Sequence, residues 1–261
     1  MEKKSYVFTY ENLISRYPIR MAYLGGKAKG SDHIVHLLNQ KKYDNMPYLE
    51  PFVGYGHILR RIQHKSTYIA SDNNPLIIQL LKGIQKNTPY TYISKKEYDQ
   101  LKNNKKSDFK KALAAFCYSY NGKEFGGYVT HNKERTRNYP KERIRYYEFL
   151  KKCSSFREAR IRYCDYRKWN PKGFLIYCDP PYINTTEYGK HGKEDHFDHC
   201  KFWETIRKWS KCNVVYVSEY KAPSDFKIVA TKSKRISLSG KGSTHTRHER
   251  VFQYNIKNKC D

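Results

Sequence analysis

A short apolar run from Phe174 to Cys178 ends at once in Asp179-Pro180-Pro181-Tyr182. The run has the length of a strand, and proline cannot donate to a sheet ladder, so the strand must stop at Asp179 and the chain must turn there. In an open α/β sheet, ligands bind at the carboxyl ends of the strands. The turn therefore delivers a carboxylate, a proline carbonyl and an aromatic ring to one place. Those groups suit a planar base with an exocyclic amine. The carboxylate and the carbonyl each accept one N–H, and the ring stacks on the base.

A second pattern lies upstream. Tyr48 to Glu50 reads as a strand, Pro51-Phe52-Val53-Gly54-Tyr55-Gly56-His57 as a glycine turn, and Ile58-Leu59 as an apolar helix start. Another strand, Tyr68-Ile69-Ala70, runs into Ser71-Asp72-Asn73-Asn74. An acid at the end of the second strand suits the two hydroxyls of a ribose. Gly54-Tyr55-Gly56 lacks the third glycine of a dinucleotide fingerprint, and no Gly-Lys-Ser/Thr closes the turn as in a P-loop. A nucleoside-type cofactor without pyrophosphate fits better. Glu50 would repel phosphate and accept bonds from an ammonium group. Gly25-Gly26-Lys27 is a further turn in which backbone can approach a ligand, with a cation behind it.

Around these motifs the chain alternates strands and helices. Ser31 or Asp32 caps a helix through Leu38, and Asn74-Pro75 opens another through Ile84. From Lys86 the character turns polar, basic and aromatic, with helices expected near 95–101, 109–118 and 141–152. Between the last two lies a Gly-, Asn- and Tyr-rich stretch from Tyr120 to Arg137, too long for a simple connection and read as a functional loop or hairpin. Strands are expected again at 159–164 (followed by Asp165-Tyr166), 174–178, 214–218, 234–238 and 250–256, with a helix capped by Asp198. Between the last two strands runs a basic glycine loop containing Lys241 and Arg247.

Charge narrows the partners. Lys and Arg number 51 against 25 Asp and Glu, a net charge of +26. Such an excess points to a polyanion, most simply nucleic acid, and the 25 tyrosines supply rings for stacking on bases. The seven cysteines form no CxxC pair and read as reduced thiols in a cytosolic setting. No apolar signal core or spanning segment is visible, so a cytoplasmic protein without membrane attachment is expected. The His191, Asp195, His196, Asp198, His199, Cys200 cluster matches no zinc spacing, and no metal is expected.

The motifs and their order resemble the DNA adenine-N6 methyltransferases of the Dam (D12) family. The matching pieces are Gly25-Gly26-Lys27, Glu50 to Gly56, Ser71 to Asn74, Asp179 to Tyr182, and Arg247-His248-Glu249-Arg250-Val251-Phe252. The resemblance implies an α/β class I S-adenosylmethionine-dependent methyltransferase fold: a Rossmann-like mixed sheet with an inserted, mainly helical target-recognition region. Residues 1–85 and 156–261 would form the catalytic domain, and 86–155 the insert. It implies S-adenosylmethionine as cofactor, lined by Tyr23, Lys27, Phe52, Gly54, Gly56, Asp72, Asp165 and Tyr166. Asp179, Pro180 and Tyr182 would hold a flipped-out adenine of double-stranded DNA. Asn121, Lys123, Phe125, Tyr128, Arg135, Arg137, Lys241 and Arg247 would meet the nucleic acid. Tyr55 and His57 depart from the small residues usual in the glycine loop, which bears on cofactor affinity. A monomer is expected, and a restriction enzyme is the one protein partner considered. The alternatives are an RNA base methyltransferase acting on adenine or guanine amino groups, and a catalytically silent DNA-binding protein of the same fold.

Overall fold

The structure, a computed structural model, describes Lys27 and residues 31–182, 197–237 and 244–255, with the backbone course alone for 234–237 and 244–247. Tyr23, Lys241 and, of the His191–Cys200 cluster, His191, Asp195 and His196 lie outside the described residues.

Seven strands form one mixed sheet in the order β3-β2-β1-β4-β5-β7-β6. The strands are β1 (Pro47–Glu50), β2 (Thr67–Asp72), β3 (Arg160–Tyr163), β4 (Leu175–Cys178), β5 (Val214–Glu219), β6 (Phe226–Ser237) and β7 (Thr244–Tyr254). The first five run parallel. The last two form an antiparallel ribbon that joins β5 through β7. This is the Rossmann-like mixed sheet expected of the chain. β1 sits between β2 and β4, so the strand order reverses at its carboxyl end, where ligands settle in open α/β sheets.

Side chains alternate between two cores with the period of a pleated strand. Tyr48, Ala70, Leu175, Tyr177 and Tyr216 face one core. Leu49, Ile69, Ile176, Cys178, Val215 and Val217 face the other, under a helix from His199 to Ser210. The first core continues through Leu81 and Ile84 into Leu113, Phe116, Tyr146 and Tyr147 of the 86–155 region. The helices of 86–155 therefore pack as part of the sheet's own cover.

The helices are α1 (Asp32–Leu38), α2 (Pro75–Gln85), α3 (Lys95–Asn103), α4 (Phe109–Cys117), α5 (Tyr139–Leu150), α6 (Ser154–Glu158) and α7 (His199–Ser210). Asn74 caps α2, accepting from the amides of Leu76 and Ile77, and Pro75 stands where its missing N–H costs nothing. Asp198 caps α7 by accepting from the Lys201 amide. Gly83 admits the Phe109 ring against α2; a Cβ there would lie 2.0 Å from Phe109 Cδ2.

Three expectations need correction. No long helix follows the glycine loop, only a 3-10 turn at Leu59–Arg61, because the chain must reach β2 within a few residues. Ser31 does not cap α1 through its side chain; its hydroxyl donates to the Lys27 carbonyl instead. The last two strands are far longer than their apolar runs, since ribbon pairing carries polar and basic residues as readily as apolar ones.

Candidate active site

Four acids stand at the carboxyl ends of four parallel strands: Glu50 on β1, Asp72 on β2, Asp179 after β4 and Glu219 on β5. An acidic floor in a chain of net charge +26 is a local inversion that suits a cationic ligand.

Asp72 accepts from the backbone N–H of Gly54 at 3.0 Å and of Asn74 at 2.9 Å. Burial pushes its carboxyl up to about 6, against the pull of those amides. Gly54 and Gly56 have φ of +47° and +69°, the left-handed region that favours glycine, and a Cβ on Gly54 would meet nothing within 4 Å. The loop thus presents bare backbone and open space next to an acceptor. Phe52 lies beside it, 5.2 Å from the Tyr166 ring. Tyr166 is buried among Phe202 and Trp209, while Asp165 is held below the usual carboxylate range by its bonds from Arg167.

Glu50 is buried, accepts from the Tyr48 hydroxyl at 2.8 Å, and is raised well above the ordinary range by burial, with Asp179 and Asp72 adding to the shift.

Lys27, 7% exposed, places Nζ 2.8 Å from Asp179 Oδ1, 2.5 Å from the Tyr182 hydroxyl and 2.6 Å from Glu249 Oε1. The Tyr182 hydroxyl in turn donates to Glu249 Oε1 at 2.8 Å, and its ring lies edge-on to Tyr220 at 4.9 Å. Burial raises the Asp179 carboxyl, and Lys27 opposes that shift. Burial also works against Glu249, yet the charge and hydrogen bond of Lys27 hold it below its usual value. The turn carrying Lys27 is fixed from outside the site: its carbonyl takes the Ser31 hydroxyl at 2.9 Å, and Ser31 takes Arg61 at 3.0 Å.

The two unusual residues of the glycine loop point elsewhere. Tyr55 donates to the Gly122 carbonyl at 3.0 Å, and Tyr146 donates to the Tyr55 carbonyl at 3.1 Å. These bonds lock the loop to the inserted region. His57 is buried, 4.9 Å from the Tyr146 ring, and neither ring nitrogen has a partner among the described residues. Burial pushes its imidazole down to about 3, so it is neutral, with one donor and one acceptor unspent.

A glycine cradle, an acid accepting the cradle's amide, and a carboxylate after the fourth strand are the parts a nucleoside cofactor and an amine acceptor require. Residues 23–112 match the D12 class N6 adenine-specific DNA methyltransferase family. The matched span holds Lys27, Phe52, Gly54, Gly56 and Asp72, and the Asp179 turn lies downstream. The chain is a methyltransferase that takes its methyl group from S-adenosylmethionine, on a class I sheet. No curated protein sequence matches it. Among solved structures it is similar to a precorrin-6y C5,15-methyltransferase from Geobacter metallireducens, with 6% identity, TM-score 0.41, and 92% of this chain and 97% of that one covered. It is also similar to the rRNA methyltransferase AviRa from Streptomyces viridochromogenes, with 15% identity, TM-score 0.38, and coverage of 92% and 88%.

The expected nucleic-acid residues divide. Asn121 is exposed in a left-handed turn (φ +52°), Lys123 is half-buried, and Arg135 is exposed. Arg137 is tied by two bonds to Glu142, at 2.9 and 2.6 Å. Phe125 and Tyr128 turn inward, each 5.3 Å from the Tyr98 ring, and Tyr128 donates to the Ile93 carbonyl. The exposed rings of the region are Tyr92 (74%), which no motif singled out, and Tyr120 (59%), at the start of the loop read as functional. Arg247 lies on β7, in register with Lys234.

Proposed function

We propose that this protein transfers a methyl group from S-adenosylmethionine to the N6 amine of an adenine swung out of duplex DNA. The observation that supports this most is the meeting of Asp179, Tyr182 and Lys27 at the end of β4, beside the Asp72–Gly54 cradle.

The cofactor supplies an electrophilic methyl on a sulfonium. Asp72 would accept the ribose hydroxyls, and the glycine loop with Phe52 and Tyr166 would hold the rest of the cofactor. The target amine is a weak nucleophile because its lone pair is delocalised into the ring. Asp179 and the Pro180 carbonyl accept its two hydrogens and draw the nitrogen toward a tetrahedral form. Tyr182 offers a ring to a base that has left its stack. Catalysis is mainly positioning and electrostatic stabilisation in a partly closed site.

Asp72 gives the cofactor site a pH dependence. Ribose hydroxyls donate to the ionised carboxylate, and protonation removes that acceptor. Affinity for S-adenosylhomocysteine is expected to fall as pH drops through about 6, by about tenfold between pH 7.5 and 5. Calorimetry at both values checks this, and Asp72→Asn should flatten the difference.

The inserted region favours a weak sequence preference. With Phe125 and Tyr128 packed inward and Arg137 paired to Glu142, few of its expected readers remain free to meet base edges. Mapping methylated adenines on a plasmid should show several sequence contexts; a single strict motif would contradict this. The exposed Tyr92 and Tyr120 also suit unpaired bases. Labelled methyl should therefore be offered to duplex DNA, single-stranded DNA and ribosomal RNA side by side. Duplex DNA is expected to be labelled most, and RNA as the best acceptor would replace DNA by RNA in this reading.

A further inference from the structure

We propose that Glu249 is a positioning residue for methyl transfer: it shares Lys27 with Asp179, so that Asp179 keeps acceptor capacity for the incoming amine. This rests on the function proposed above and assigns a role to a strand outside the parallel half of the sheet.

An ammonium has three donors, and here all three are directed at Asp179, Tyr182 and Glu249. If Asp179 were the sole carboxylate on Lys27, the two would form a closed ion pair, and the amine would have to compete with a full positive charge for the same oxygens. Glu249 is the nearer carboxylate, at 2.6 Å against 2.8 Å, and it draws on the same ammonium. When an amine takes the Asp179 oxygen, Lys27 is not left buried and unpaired, because Glu249 still holds it. Glu249 also accepts the Tyr182 hydroxyl, which fixes the ring that faces the base.

The placement depends on the antiparallel ribbon. Glu249 pairs in register with Lys232, and its neighbour Arg250 pairs with Glu219 at the end of β5. Val251 and Phe252 are buried and pin the strand. Arg250 Nη1 donates to the Tyr220 carbonyl at 2.9 Å, and the Tyr220 ring meets the edge of Tyr182. One strand thus carries both the carboxylate and the support for the ring.

The test compares Glu249→Gln, Glu249→Asp, Lys27→Met and the double variant Lys27→Met/Glu249→Gln. Each is measured for kcat, for KM toward DNA, for S-adenosylhomocysteine affinity by calorimetry, and for thermal unfolding. Glu249→Gln is expected to lower kcat by about 10²-fold, with KM and cofactor affinity within about threefold, and Glu249→Asp should recover at least about tenfold of the loss. Because Glu249 acts mainly through Lys27, the loss in the double variant should fall well short of the product of the two single losses. A Glu249→Gln kcat within about threefold of wild type overturns the proposal. So does a fully multiplicative double variant, or a loss of cofactor binding and thermal stability that accounts for the loss of rate. A wild-type protein that methylates no nucleic acid removes the functional reading and this proposal with it. An active wild type indifferent to Glu249→Gln removes the proposal alone.

Discussion

Asp179→Ala is expected to lower methyl transfer by at least about 10³-fold while DNA binding stays within about threefold. On the function proposed, the carboxylate accepts an amino hydrogen and draws the nitrogen out of conjugation; among the described residues no neighbouring carboxylate is free to substitute for it. Burial raises the Glu50 carboxyl well above its ordinary range, and Glu249 is engaged by Lys27 and Tyr182. The variant should fold, since Lys27 keeps Glu249 as its counter-charge. Gel-shift binding alongside methyl incorporation separates the two effects. Activity above about a tenth of wild type would remove Asp179 from the chemistry.

Salt carries the second large effect. Even if each of the 25 acids neutralised one cation, 26 positive charges would remain. Arg137, Arg167 and Arg207 already have acid partners, and the acids of the active site are spent inside it. The excess is therefore available to phosphates over the outer surface. If about six to ten phosphates are met, the dissociation constant for duplex DNA rises about 10³-fold or more between 50 and 200 mM salt. Fluorescence anisotropy across that range measures the slope. A change of less than about tenfold would mean that the charge excess is solvated surface and does not carry affinity.

Two opposite electrostatic regimes thus share one chain. The surface is strongly basic, and the carboxyl edge of the sheet is acidic, with Lys27 as the buried cation among its carboxylates. The first suits a polyanion without regard to sequence. The second suits a cationic methyl donor and, on the function proposed, an amine. Their separation follows from the parallel sheet, which sends every strand's carboxyl end to one edge.

The sequence exposes local signals well. The proline pair ends β4, the glycine pair bends the loop after β1, and Asn74-Pro75 opens α2, because each acts through its own backbone. What it conceals is contact at long range. The resemblance made Lys27 a cofactor contact; in the structure it joins Asp179 and Glu249, and no periodicity signals a pairing across that distance. Glu249 stood within a matching motif without a role, since its place depends on the register of an antiparallel ribbon. Tyr55 and His57 read as departures bearing on cofactor affinity. Tyr55 binds the loop to the 86–155 region, while His57 sits buried against Tyr146 with neither nitrogen partnered among the described residues. Phe125 and Tyr128 read as a reading head because composition cannot tell an inward ring from an outward one. Among the described residues no helix is long and apolar enough to cross a membrane, as the composition implied.

The most direct test of the account is mass detection of the modified nucleoside after incubation of the protein with S-adenosylmethionine and duplex DNA. N6-methyladenosine's deoxy form should accumulate with wild type and be absent with Asp179→Ala. No methylated nucleoside in DNA, or methylation confined to RNA or to a base other than adenine, would contradict it.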